Sequence, residues 1–361
     1  MKLFIVQWLK SLVCLSGIFL IYIGRLDSLG KIRAGRFLSR ALLVLAGIAV
    51  LCYFDLGYYP KQGRFMNCHG WYHYYMGAKY IKETGYFDFY RVTVVANEEN
   101  NGELMQSTLR NLNDYGSESA LVISMEGDTY RGKFTEARWE EYKEDLAYFQ
   151  SIFIERRWPG VVQDKGFNAT PTWCMIGYFL TNRFSIGNDA SRDFLLSLDF
   201  LLMALMLLCV NRAFGWRPMM FTALYLLTHF AFYMYNVNEI RGAFLRLDWV
   251  TLTVIAICMM KLNHYKAAGA VMAYAGMARI FPLVFLFGLG AKALWDFVQK
   301  KRPQRKHVEF FVSFTASSLL LVGASIWWSG GLGLWSEFLE KIAMHDTGLS
   351  PQRTGFKYIF L

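Results

Sequence analysis

Charged side chains are scarce in this chain. They make up 18% of 361 residues, where a soluble domain carries about a quarter. With 55% hydrophobic residues, the deficit excludes an ordinary soluble enzyme. No CxxC pair or Cys/His ladder occurs among the six cysteines, which argues against a structural zinc site. Cys14, Cys52, Cys209 and Cys258 lie in apolar segments as small hydrophobes. Cys68 and Cys174 fall in polar sequence, where a disulfide would need an oxidising compartment. No small-residue cleavage site follows the first apolar segment, so it reads as an uncleaved helix rather than a signal peptide. No internal repeat of the kind many transporters carry is visible.

What is present is a succession of apolar stretches, several near the roughly 20 residues that a membrane helix needs. The formal charge of +10 does not imply nucleic acid, because the basic residues gather in short loops between spans as positive-inside sorting requires. The expected fold is an all-α polytopic membrane protein with about seven or eight spans. Residues 1–40 form an apolar helix, interrupted by Lys10, and a basic cytoplasmic loop. Its orientation, spanning or lying in the interface, is open. Residues 41–54 cross outward, and residues 55–190 form a large extracytoplasmic loop.

Within that loop, residues 98–128 are polar and read as irregular. Residues 135–153 read as an amphipathic helix, with Trp139, Tyr142, Leu146, Phe149 and Phe153 on one side. Glu140, Glu141, Glu144 and Asp145 read as its solvated face. Residues 173–184 are too short to span and suit a juxtamembrane helix. Residues 191–328 supply a bundle of about six spans. Residues 329–361 form an outer loop, and the apolar ending at Phe360-Leu361 reads as the start of a further span in a truncated or naturally short form.

The chemically crowded stretch is residues 55–90. His69 and His73, four apart, share a helix face, but Gly70 stands where a zincin has its glutamate. No cofactor is required by the sequence; a divalent metal would need a third ligand such as Asp55, and histidines hydrogen-bonded in a polar pocket are the alternative. Trp71, Tyr72, Tyr74, Tyr75 and Tyr80 suit sugar stacking or an interfacial aromatic belt. Lys79 suits an anionic phosphate or snorkelling to headgroups. Asp55, just past a span, could take a proton from a hydroxyl acceptor or be an ordinary helix-end acid.

A second cluster is Arg241, Arg246 and Asp248, with Arg279 expected at the same outer level. Intramembrane charges commonly mark function, and guanidinium forks suit phosphate oxygens. Asp248 would orient one arginine. Separate salt bridges to acids such as Glu239 and Asp248 are the plainer alternative.

The order HYYMGAKYIKETGYFDFY, GFNATPTW, GAFLRLDW, ARIFP, WSEFLEKIAMH resembles bacterial integral membrane proteins of the GT-C glycosyltransferase superfamily. It is closest to the branch related to polyprenyl-phosphate-mannose-dependent transferases. The resemblance covers nearly everything after residue 41, while residues 1–24 look like an added helix. It implies a GT-C-like multi-span bundle beneath a large first outer loop with juxtamembrane helices. It also implies a multi-pass inner-membrane, inverting transferase that moves a sugar from a polyprenyl-phosphate donor to an extracytoplasmic glycan, lipid or protein. Asp55 is the nearest match to the family's early acidic base, with His69 or His73 in reserve. The segment SPQRTGFKYIF departs from the family where related proteins carry Asn before the Gly. A transporter or flippase for a lipid-linked or anionic solute, and a non-catalytic assembly protein, are the other readings.

Overall fold

The computed structural model describes residues 2–57, 65–153, 158–228 and 242–347. In chain order the helices begin with α1 (Lys2–Ser28), α2 (Gly35–Tyr53) and α3 (Cys68–Trp71), then a π-helical turn (Tyr72–Met76) and α4 (Gly77–Lys79). Next come α5 (Ile81–Thr84), α6 (Phe89–Asn101), strands β1 (Thr108–Arg110) and β2 (Ser117–Ser119), α7 (Ala120–Met125) and α8 (Gly127–Arg131). They are followed by α9 (Glu136–Ile152), α10 (Trp158–Val161), α11 (Pro171–Arg183), α12 (Asp189–Phe214) and α13 (Trp216–Thr228). The last are α14 (Asp248–Lys261), α15 (Tyr265–Ala278), α16 (Leu283–Lys300), α17 (Arg305–Ser329) and α18 (Gly333–Thr347). They divide into two compact units, one of Met1–Trp71 with Asn188–Leu321, the other of Tyr72–Gly187 with Val322–Leu361.

The first unit is a helical bundle. A short turn, in which the Asp27 carboxylate accepts from Ala34 N at 2.8 Å, folds α1 back on α2. The hairpin therefore places Lys10, early in α1, beside Asp55, just past the end of α2, at 3.0 Å. From Lys10 to Ser28 the helix rises about 27 Å, close to a bilayer's hydrocarbon thickness. Val13, Cys14, Ala49 and Leu224 form one core where α13 packs on the hairpin. Ala256, Ala268, Met272 and Phe310 form another among α14, α15 and α17, with small residues permitting close helix approach.

Among the described residues, four helices are long and apolar enough to cross a membrane: 21 residues of α1, then α2, α12 and α17. Their outer faces carry bare apolar side chains such as Leu208 (62% exposed) and Leu320 (73%). In water such a surface would be a liability; in lipid it is the favoured one. Of the other expected spans, that of residues 219–235 lies partly outside the described residues. α14 and α15, with 14 residues each, rise only about 21 Å.

The second unit is built around aromatic side chains. Tyr72, Tyr75, Tyr80, Tyr86, Tyr90, Tyr142, Trp139, Trp158 and Trp173 are all fully buried. A hydroxyl chain joins Tyr72 to Thr93 (2.7 Å) and Thr93 to Tyr142 (2.8 Å), satisfying polar tips inside the core. The expectation of a sugar platform or membrane belt is thus overturned for Tyr72, Tyr74, Tyr75 and Tyr80, because all four are interior. Gly77 is required by this packing: a Cβ there would come within 2.6 Å of the Phe167 ring.

Residues 98–128 are not irregular. α6 continues to Asn101, and β1 pairs antiparallel with β2, Thr108 opposite Ser119. The amphipathic helix is α9, started by the Thr135 hydroxyl accepting from Arg138 N. Asp145 does not share its solvated face. It is buried, accepting from Lys79 at 2.6 Å and from Tyr80 at 2.7 Å. Burial raises its carboxyl pKa above the ordinary range, an effect that Lys79 and Tyr80 oppose. Thr170 and Pro171 begin α11 as cap and first-turn proline.

Candidate functional site

In the first unit the two stretches singled out by the sequence are stitched together. Asn67 begins α3, its side chain accepting from Gly70 N at 3.0 Å. The Gly242 carbonyl accepts from Asn67 N at 2.9 Å and from the Trp71 indole at 2.7 Å. Gly242 has φ of +64° and lies against the Phe65 backbone, so a side chain there would be both strained and crowded. Beneath this loop, Tyr53, Phe54, Phe65 and Phe200 form an aromatic cluster that Leu247 joins.

The loop is shaped by an acid on a candidate membrane helix. Asp199 of α12 accepts from Arg246 N at 3.0 Å and Leu247 N at 3.2 Å, one bond to each carboxylate oxygen. Leu245, just before, is held at φ of +45°, which an apolar side chain adopts only under constraint. Asp248 is buried; it accepts from Trp249 N at 2.8 Å and from the Tyr274 hydroxyl at 2.9 Å. Arg246 interacts electrostatically with Asp199, and Arg279 with Tyr274, which also feels both acids. Arg279, 9% exposed, closes α15.

Arg246, Arg279 and Asp248 therefore gather in one group, with Asp199 and Tyr274 as members that the sequence did not single out for a role. Arg241 lies outside the described residues. Asp55 takes part differently: it is buried, bonded to Lys10, and held with Leu56 at positive φ. That pairing explains why an apolar helix carries Lys10.

In the second unit, Lys79 is far from any phosphate role. Its side chain is 2% exposed, with the ammonium 2.8 Å from Glu141 and 2.6 Å from Asp145. Both the phosphate and the snorkelling expectations are corrected by that interior ion pair. Arg138 ties the same group to Glu83 at 2.9 Å.

His73 is buried on the π-helical turn, a feature that often marks functional positions. Its Nε2 lies 2.7 Å from the Tyr90 hydroxyl and 3.2 Å from Asp164 Oδ1. The Tyr90 hydroxyl donates to that same carboxylate oxygen, so its own oxygen accepts from His73 when Nε2 carries the proton. Gly166 N donates to Asp164 at 2.6 Å. Asp164 is the open member, its side chain 38% exposed. Burial and the Asp164 charge push the Tyr90 phenol well above its usual range, so it stays a donor. His69, half-buried, belongs to the first unit. Cys68 and Cys174 both remain thiols.

No sequence motif pointed to Asp164 or Tyr90, since nothing local distinguishes them from loop and helix residues. The chain is an all-α protein among its described residues, apart from one two-stranded ribbon, with four helices suited to cross a membrane. No protein-family model, curated protein or solved structure matches it.

Proposed function

We propose that this chain is a multi-pass inner-membrane glycosyltransferase of GT-C type, moving a sugar from a polyprenyl-phosphate donor to an extracytoplasmic glycan, lipid or protein with inversion. The observation that carries this reading is the loop that Asp199 holds at Arg246 N and Leu247 N, next to Asp248, which accepts from Tyr274 on the helix that Arg279 ends. A guanidinium offers several N–H donors, so an arginine oriented by an acid retains capacity for phosphate oxygens. Asp199 and Asp248 act through the loop and through Tyr274, and so are positioning residues.

In the reaction the acceptor O–H bond breaks as its oxygen bonds the anomeric carbon. The bond from that carbon to the phosphate oxygen breaks, and the leaving phosphate keeps the electron pair beside the arginines. The acceptor proton passes to a carboxylate. Asp55, buried against Lys10, suits a structural role. Separately, in the second unit, Asp164 is a half-exposed carboxylate whose orientation is fixed by His73, Tyr90 and Gly166, as a proton acceptor requires.

The test is sugar transfer in membranes from a labelled polyprenyl-phosphate hexose. Arg246→Ala and Arg279→Ala should each reduce transfer at least a hundredfold, consistent with loss of charge stabilisation worth roughly 10²–10³. Full activity in both arginine variants would overturn the assignment. Uptake of a lipid-linked or anionic solute without transfer would establish a transporter instead.

A further inference from the structure

Lys341 is the residue the foregoing chemistry leaves unused. It sits on α18 with a side chain 0% exposed. Its ammonium donates only a long bond, 3.4 Å, to the Tyr86 carbonyl. The rings of Phe87 and Tyr115 lie 5.6 and 5.4 Å from it. No carboxylate lies within ion-pair distance of it among the described residues. A fully buried cation held this way is expensive unless it serves a charge nearby.

That charge is Asp164. A Cβ placed on Gly166, two residues on, would lie 3.5 Å from the Lys341 nitrogen, and Asp164 is the one charge that acts on Lys341 appreciably. The surrounding fold holds the two together. Glu337, one turn earlier on α18, accepts from Tyr86 N at 2.9 Å, and Phe338 packs on the Tyr86 ring. The β1–β2 ribbon fixes the other side. Arg110 N donates to the Val162 carbonyl and its guanidinium to the Gln163 carbonyl, while the same guanidinium holds the Tyr115 carbonyl at 2.6 Å. Tyr115 also carries Lys165 over its ring at 5.4 Å.

We propose that Lys341 is a positioning residue for Asp164, setting the carboxylate's charge through space from behind the Asp164–Gly166 turn. The groups around the amine are Asp164 and Lys165 on the turn, the Tyr115 phenol on the ribbon loop, and Glu337 on its own helix. Burial pushes the Lys341 amine down to about 7 while Asp164 pulls it up, so its charge is adjustable near neutral pH. While charged, Lys341 favours the anionic, proton-accepting form of Asp164. The coupling does not rest on the transferase reading.

The test separates the two. Infrared spectra of the purified full chain in detergent, titrated toward acid, give the protonated carboxyl bands; the band missing in Asp164→Asn belongs to Asp164. Lys341→Met should raise its midpoint by roughly one to three pH units, the usual effect of losing a nearby opposite charge. Lys341→Arg should restore the wild-type position. An unmoved midpoint in Lys341→Met overturns the proposal whatever the activity. Should that variant not fold, Lys341→Gln gives the same reading. A shifted midpoint without sugar transfer in any form keeps the coupling and removes the transferase.

Discussion

Lys10 and Asp55 meet at 3.0 Å across the α1–α2 hairpin, and both are buried. The pair ties the start of one apolar helix to the end of the next. Lys10→Met would take from a buried carboxylate the ammonium bonded to it, and breaking a buried ion pair from one side typically costs about 3–5 kcal/mol. Lys10→Met combined with Asp55→Asn should recover most of that loss. Thermal unfolding in detergent checks it. A double variant no more stable than Lys10→Met would show that the pair is not what the hairpin depends on.

Asp199 carries the geometry of the Arg246 loop by accepting one N–H on each oxygen. In Asp199→Asn one acceptor becomes an amide donor facing a backbone N–H. A buried donor left unsatisfied costs about 1–3 kcal/mol. Transfer should fall with the donor's KM raised more than kcat is lowered, since Arg246 is misplaced rather than removed. Unchanged kinetics with lowered stability would confine Asp199 to folding.

The Lys79–Asp145 pair makes a pH-dependent prediction. Lys79→Met removes the cation that offsets the effect of burial on Asp145, and should cost about 3–5 kcal/mol at neutral pH. The Asp145 folded-state pKa then rises further above its unfolded value, so the native state binds the extra proton. The variant's stability should increase as pH falls toward the ordinary carboxylate range. Denaturant unfolding from pH 7 to 5 measures it; a variant that weakens on acidification would contradict the assignment.

Much of the helix pattern was legible because apolar period and basic loops are local signals. Residues 135–153 match α9, and the residues 173–184 expectation matches α11 closely. Arg246, Asp248 and Arg279 stand out in the sequence because charge in an apolar setting does, while Arg241 lies outside the described residues. Asp145 and Lys79 misled because an acidic run on a helix looks solvated until a partner 66 positions away is known. The tyrosines misled similarly: their interior role depends on hydroxyl partners such as Thr93 and Asn168, supplied by other segments. Asp164 and Lys341 were beyond reach because their meaning lies only in their proximity. The ending SPQRTGFKYIF falls outside the described residues.

Lys341 itself should make stability depend on pH in an unusual direction. Its folded-state pKa is about 7 against an ordinary 10.5, so between those values the unfolded chain binds the proton and the native chain does not. Stability from this group therefore rises with pH across that window. Below it, both states are charged and the native state bears the full cost of a buried ammonium. Lys341→Met removes that cost, so the variant should be more stable than the parent at pH 6, by about 2–4 kcal/mol at most. Above the window the gain should vanish. Urea unfolding of both proteins at pH 6, 8 and 10 measures the difference. If the stability gap stayed constant across the series, Lys341 would not titrate in this range, and its role beside Asp164 would be that of a permanent charge.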